Sequence, residues 1–485
     1  MDRADFLAKA FLDALSFEPT ECQRNFFNDV ARFATSPDHD IMVTSGYAGT
    51  GKTTALAAVV SAFKSLGTKC ILLAPTGRSA KVLSSYSNHT AFTVHKHIYR
   101  QKSVGGDGFG QFSLAPNKAK NTLFIVDEVS LLGIGSDTDR GPSSASFGSG
   151  DLLGDLVDFV RSGADCRLML VGDCAQLPPI GLDESPALSR EYMTSTFNGV
   201  MFSSLTTVVR QKGESGILHN ATIIRHLISS LSEGAAVSSA SLRLELDGFG
   251  DISVVTGGDL IEKLSDAYSE YGDDGTIVLT RSNKRAIRYN AGIRSLVQFK
   301  EDRLVRGDRL MVVKNCYQFL ENVEKMSYIA NGDVVRLLKI SEFEDRYGLH
   351  FATARLSFPD YDDVEIRAKV ILDTLDSESP SLTYEQSNQL YLGVNEDYSW
   401  ITAKKKRYES VREDPYFNAL QLKYSNAVTC HKSQGGQWEC VFIDNAFWQD
   451  QLTVDDLKWL YTAITRATRR VYLVNFNKLE WPVTL

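Results

Sequence analysis

A chain of 485 residues is too long to fold around one ordinary hydrophobic core, so several domains are expected. Hydrophobic residues at 43% and charged residues at 23% fit a globular protein, and no apolar run approaches the roughly 18 residues of a membrane span. The formal net charge of −8 excludes a uniformly basic surface, but nucleic-acid binding depends on where charges sit rather than on their sum.

The first fifteen residues carry acids through their apolar stretch, which reads as an amphipathic helix and not as a signal peptide. An apolar run at 41–45 leads into a Gly-rich turn, and residues 53–66 are predicted to be helical, with Gly67 at the C-terminus. Further buried strands are expected at 70–74, 123–126 and 168–171. Continuous apolar strands separated by helices indicate a parallel sheet covered on both faces. The segment 133–150 is rich in Gly and Ser, has little apolar surface to pack and reads as a flexible loop. The α/β pattern returns with a strand at 276–280. Short β-rich runs at 309–313, 333–340 and 365–371 then predict a small all-β insertion, and strands at 427–429, 440–444 and 471–475 complete the second α/β unit. Seven scattered cysteines form no CxxC pair, which argues against a structural metal site or disulfide framework and for a reduced, cytoplasmic setting.

Two stretches carry chemistry by themselves. Gly46-Tyr-Ala48-Gly49-Thr50-Gly51-Lys52-Thr53 fits GxxxxGK(S/T) between a strand and a helix, and Thr54 follows inside the helix. Its glycines let backbone N–H groups turn around phosphates, Lys52 reaches the β- and γ-phosphates, and the Thr53 hydroxyl ligates Mg²⁺. Asp127 and Glu128 follow a strand, at the edge of a parallel sheet where ligands bind. Asp127 is expected to hold Mg²⁺, and Glu128 to orient the attacking water as general base. ATP and Mg²⁺ are therefore the expected cofactors.

Beyond these, the order of motifs resembles the superfamily-one helicases. Gly172-Asp-Cys-Ala-Gln176-Leu-Pro-Pro179 is similar to the family's GDxxQLPP motif, and the resemblance makes Gln176 a sensor of the γ-phosphate. Val209-Arg210-Gln211 resembles the motif whose Arg contacts that phosphate, and Leu460-Tyr-Thr-Ala-Ile-Thr465-Arg466-Ala467 the motif whose Arg, here Arg466, is an arginine finger. Gln23 matches the glutamine that reads adenine. A positioned Arg is worth about 10³–10⁵ in rate, so if Arg210 and Arg466 come from different domains, catalysis requires the cleft to close. Pro75, Thr76 and Arg78 match motif Ia, Thr93 and His95 the following motif, and Thr429, His431, Lys432 and Ser433 the TxHKSQG element. The resemblance implies that these residues contact the strand backbone, positioning it without reading bases.

The resemblance is closest to the branch typified by RecD, Dda and Pif, whose members move 5′→3′ on single-stranded DNA. It implies two RecA-like parallel-sheet motor domains. The first is expected over 1–209, with a β-hairpin pin at about 98–121. The second is expected over 210–301 and 415–485, interrupted by an SH3-like β-barrel at 302–414. On the pin, Phe109 and Phe112 either stack on a base at the DNA fork or only pack the hairpin. The position of Gln437 against the nucleotide stays open, and the run 404–407 reads as a solvated face. The expected activity is ATP-dependent unwinding by a monomeric motor acting on single-stranded DNA and the fork, alongside single-strand-binding or replication and repair proteins. The alternative is a DNA or RNA translocase, or an ATP-switched subunit of a nuclease or repair complex, that does not itself unwind.

Overall fold

The computed structural model describes residues 2–104, 110–134, 146–208, 215–231, 236–238, 242–321, 323, 326, 328–447 and 451–476. A first sheet has six strands in the order Ala91–Thr93, Lys69–Ala74, Thr122–Val126, Arg167–Gly172, Ile41–Gly46 and Val200–Leu205, with every neighbouring pair parallel. Alternate residues of each strand enter different cores. Met42, Ile125 and Met169 pack with helices Arg3–Asp13, Glu21–Thr35 and Lys52–Ser65, while Val43, Phe124 and Leu170 pack with helix Leu152–Arg161. A strand buried on both faces has no polar side, which is why these segments read as unbroken apolar runs.

The second sheet has five parallel strands in the order Ile252–Val255, Ala467–Val474, Trp438–Asp444, Thr276–Thr280 and Ala427–Thr429. Its core takes in Ile217, Ala221 and Ile224 from helix Gly216–Ser230, and also Ala175 and Leu177 from the first domain. The two motor domains therefore share packed apolar surface. Among the described residues no helix is long and apolar enough to cross a membrane.

The insertion is a closed barrel of strands Arg309–Val312, Val334–Arg346, Leu349–Phe358, Val364–Ile371 and Leu420–Tyr424. Its closing strand lies past residue 414, where the insertion was expected to end. All five residues of that strand are buried, with Leu420, Leu422 and Tyr424 in the barrel core, so no change of composition marks the boundary. The insertion is also not all β. Helices Tyr384–Asp397 and Lys404–Glu413 pack Leu390, Val394 and Val411 onto Leu349, Phe351 and Ile371. The basic run 404–407 opens the second of these helices. Lys404, Lys405 and Lys406 are exposed, while Arg407 donates to the carbonyls of Ile401 (2.9 Å) and Ser399 (3.1 Å).

Strands Tyr99–Val104 and Gly110–Leu114 form the antiparallel pin. A third strand, Ser146–Phe147, pairs parallel with the second. This corrects the expectation of a wholly flexible 133–150 loop, of which 135–145 lie outside the described residues. The Gly148 N–H donates to Phe112 O at 2.8 Å, and the Ser149 N–H donates to Asp155 Oδ2 at 3.0 Å. The Tyr99 hydroxyl donates to the same Asp155 oxygen at 2.6 Å, tying loop and pin to one carboxylate. Backbone pairing needs no apolar side chain, so Gly- and Ser-rich composition does not preclude it.

Candidate nucleotide and polynucleotide site

The phosphate loop leaves the sheet at Gly46. Gly49 (φ 76°) and Gly51 (φ 78°) take left-handed conformations that a side chain would strain. Helix Lys52–Ser65 then starts with no side chain capping its first amides, which leaves an electropositive helix end at the loop. A Cβ on Gly46 would stand 2.6 Å from Lys52 Cγ, so this glycine makes room for the lysine stem. Lys52 Nζ donates to the carbonyls of Gly46 (2.5 Å) and Tyr47 (3.0 Å) and lies 3.8 Å from Asp173 Oδ2. Thr53 is half-buried and Thr54 exposed. Gln23 is fully buried. Its amide oxygen accepts from Thr20 N (3.1 Å), and its Nε2 donates to Thr50 O (3.4 Å), tying the preceding helix to the loop.

Asp127 emerges from the C-terminal end of strand Thr122–Val126, held by its N–H to Leu73 O at 3.0 Å. Burial pushes its carboxyl up to about 7; the neighbouring Glu128 charge adds to this and Lys52 opposes it. A buried carboxyl beside a second acid is suited to a cation, whose charge would return it to the ionised form. Among the described residues no group of three or more His, Cys, Asp or Glu gathers as a metal cage. Mg²⁺ needs none: at nucleotide sites it takes one or two protein oxygens together with phosphates and water. Asp127 and Thr53 carry oxygens of the kind such a site would use. Glu128 follows in a left-handed conformation (φ 57°) that turns the chain sharply after the carboxylates. Gln176 is buried, and its side-chain oxygen has no hydrogen-bond partner. An orphaned polar atom in such a place calls for a ligand.

Side chains of the second domain reach across to these elements. The Tyr461 hydroxyl accepts from Ala48 N–H in the phosphate loop (2.9 Å) and donates to Asp173 Oδ2 (2.8 Å). Leu177 N–H donates to Thr462 Oγ1 (2.8 Å), and Gln434 Nε2 donates to Leu177 O (2.7 Å). The Arg225 guanidinium lies over the Tyr47 ring, 4.3 Å from its centroid.

A second seam runs beside the other motifs. Thr76 caps helix Gly77–Ser87 through Ser79 N–H (3.2 Å). Arg78 donates to Gln437 O (3.2 Å) and lies over the Trp438 ring at 4.0 Å. Gly435 (φ 74°) fits against Ser79 and Thr76, where a Cβ would come within 3.1 Å of Ser79 Cβ. Lys81 pairs with Asp360 of the barrel at 3.8 Å. Thr93 caps helix Val94–Ile98 through Lys96 N–H (3.3 Å), and its side chain also meets the Tyr328 hydroxyl. Pro75 and His95 are half-buried, with the His95 ring 5.7 Å from Tyr99. Thr429, His431 and Lys432 are half-buried, and burial holds the latter two below their ordinary pKa values. Ser433 is fully buried and donates to Cys430 O at 2.7 Å.

The AAA domain family matches residues 23–138, and the UvrD-like helicase C-terminal domain family matches residues 424–474. The ATP-dependent RecD2 DNA helicase of Deinococcus radiodurans is 33% identical over 232 residues, which are 45% of this chain and 28% of that protein. The ATP-dependent DNA helicase dda of Enterobacteria phage T4 is 24% identical over 498 residues, 94% of this chain and 99% of the phage protein. These matches make the chain similar to superfamily-one helicases of the RecD and Dda type. It thus spans little more than a quarter of the length of the Deinococcus relative and nearly all of the phage one. A crystal structure of Pif1 helicase from Bacteroides in complex with ADP-AlF3 and ssDNA covers 97% of this chain at 16% identity, with a TM-score of 0.45.

Measured against the motifs of this helicase family, the structure groups Gln23, Lys52, Asp127, Glu128 and Gln176 around one loop and one sheet edge. The two arginines differ. Arg210 lies outside the described residues. Arg466 is buried and bonds within its own domain, to Thr462 O (3.1 Å), Gly436 O (3.3 Å) and Thr465 Oγ1 (3.4 Å). Arg78, expected on the DNA backbone, is engaged by Gln437 and Trp438 instead, because its long side chain spans the gap between the domains. Phe109 is outside the described residues. The Phe112 ring lies 5.1 Å from that of Tyr317, outside the hairpin. Sequence reasoning missed Tyr461, Thr462, Gln434 and Asp173 as site residues. All four stand inside the quoted motifs, so a signal was there. Arg225 stands in no quoted motif, and nothing in its spacing marks it.

Proposed function

We propose that this protein is an ATP- and Mg²⁺-dependent DNA helicase that moves 5′→3′ along single-stranded DNA and opens duplex at a fork. The observation that carries the reading is the polar seam in which Tyr461, Thr462 and Gln434 of the second domain bond to Ala48, Asp173 and Leu177 of the first. A nucleotide held by the phosphate loop then has both domains as walls, and its hydrolysis changes how they meet. Two relatives named as ATP-dependent DNA helicases support the substrate, and the branch that the motifs resemble supports the polarity.

In this reading Lys52 leaves the Gly46 and Tyr47 carbonyls to neutralise charge on the β- and γ-phosphates. Asp127 and Thr53 would hold Mg²⁺, whose charge would help to neutralise the phosphates. Glu128 orients the attacking water and takes its proton. Gln176 senses the γ-phosphate, and Gln23 with Thr50 fixes the base end of the site. Arg466 gives up its contacts to Gly436 and Thr465 to face the phosphates as the cleft closes, and Arg210 joins it. Thr76, Thr93, Thr429, His431 and Lys432 line the strand's path with Pro75, His95 and Ser433 behind them. Both walls of the cleft come from one chain, so a monomer suffices. Single-strand-binding or replication and repair proteins are its proposed partners. Seven free cysteines fit a reducing, intracellular setting.

Forked duplexes with only a 5′ or only a 3′ single-stranded tail test this with the wild type and Lys52→Ala. The wild type should open the 5′-tailed fork, and Lys52→Ala should lose ATPase by about 10²-fold or more, the scale of removing a donor aimed at transition-state charge. Opening of the 3′-tailed fork alone would overturn the polarity. ATPase that survives Lys52→Ala would overturn the motor.

A further inference from the structure

The nucleotide-side seam contains one group that touches both the phosphate loop and the charge partner of Lys52. Tyr461 is 1% exposed and sits on helix Val454–Ile464 of the second domain. Its hydroxyl takes a phosphate-loop amide, Ala48 N–H, as donor and gives its proton to Asp173 Oδ2. Lys52 Nζ lies 3.8 Å from that same carboxylate oxygen. Asp173 is completely buried, and its other oxygen already accepts from Ala175 N–H at 3.0 Å. Asp173 Oδ2 therefore holds the Tyr461 hydroxyl at hydrogen-bond distance, while the Lys52 ammonium stays farther off, bonded to the Gly46 and Tyr47 carbonyls. Burial and the Asp173 charge raise the phenol's pKa well above its ordinary value, so it stays protonated and able to donate.

We infer that Tyr461 is a positioning residue for ATP hydrolysis: by bonding to Asp173, its hydroxyl keeps that carboxylate from capturing Lys52, and it does so only while the second domain is docked on the phosphate loop. The inference rests on the ATPase reading above. A buried carboxylate left without its hydroxyl donor must find another cation or donor, because an unpaired charge in a dry site is strongly disfavoured. The nearest is the Lys52 ammonium. Drawn onto Asp173, that ammonium is removed from the phosphates it should neutralise. Through Tyr461 the second domain thereby controls the first domain's lysine, and the phenol does so without touching nucleotide. The Ala48 N–H that Tyr461 occupies gives the loop a second report of docking.

Three variants of the full chain decide the matter in steady-state ATPase assays with saturating single-stranded DNA. Tyr461→Phe keeps the ring and its packing and removes only the oxygen. Its kcat should fall by about tenfold or more, the scale of one hydrogen bond to a charged group. KM for ATP and the melting temperature should move little. The double variant Tyr461→Phe/Asp173→Asn removes the competing charge and should recover part of that kcat, whereas Asp173→Asn alone should not exceed the wild type. A Tyr461→Phe chain with unchanged kcat would overturn the role of Tyr461 alone. Loss of kcat without recovery in the double variant would equally overturn it, since the lysine would then not be the target. A wild type without ATPase would overturn the functional reading, and this inference with it.

Discussion

The two seams between the motor domains are built from different materials. On the nucleotide side, Gln434, Thr462 and Tyr461 reach buried groups through short, directed hydrogen bonds: Leu177 and Asp173 are both completely inaccessible. On the track side, Arg78 is half-buried and lies over a ring, and Lys81 keeps 47% of its side chain exposed in its pair with Asp360. Buried hydrogen bonds lose their full value when slightly misplaced, while a stacked guanidinium or a solvated ion pair tolerates sliding. The nucleotide seam is therefore suited to a two-state latch, and the track seam to a surface that slips as a strand advances.

Gln434→Ala attacks the latch and should have the largest effect of the seam substitutions. It leaves the Leu177 carbonyl buried without a donor, at about 1–3 kcal/mol against the docked state. A fluorescence pair placed on the two motor domains should report fewer docked molecules. Unchanged docking would mean the latch lies elsewhere. Arg78→Ala should cost less, about 0.5–2 kcal/mol, because it removes the stack on Trp438 and one bond of 3.2 Å. It should change the rate of stepping along single-stranded DNA more than the KM for ATP. A pure KM effect would make the track seam part of the latch. Lys81→Ala should be the smallest, at most about 1 kcal/mol, and the part owed to Asp360 should vanish at high salt while the bond to the Pro359 carbonyl stays. A wholly salt-independent loss in denaturant titrations would contradict the picture of a sliding pair.

The contrast also separates what the sequence discloses from what it hides. Strands such as Thr122–Val126 are legible because burial on both faces leaves five consecutive apolar or β-branched residues. The phosphate loop is legible because glycine spacing, Lys52 and a following helix are all local. The latch is not, because Tyr461 and Asp173 are 288 positions apart and nothing in either motif tells that the two side chains meet. Arg466 has the motif expected of it, yet only the fold reveals that its guanidinium bonds inside its own domain. The strand Ser146–Phe147 escapes notice because its attachment to the pin is carried by backbone groups. Composition cannot report those.

The closing strand of the barrel has a consequence for anyone who would engineer this protein. Leu420–Tyr424 runs through the buried pair Ser425 and Asn426 directly into Ala427–Thr429 of the second sheet. Asn290 grips both sides of that junction, donating to Tyr424 O (3.3 Å) and Ala427 O (2.8 Å) and accepting from Ala427 N–H (2.9 Å). The barrel is thus not a cassette that can be lifted out at residue 414. A graft or truncation made there would strip strand Leu420–Tyr424 of both its neighbours and present a bare edge, an invitation to aggregation. Swaps between relatives should instead carry the barrel and the Thr429–Ser433 turn together, as one inherited piece.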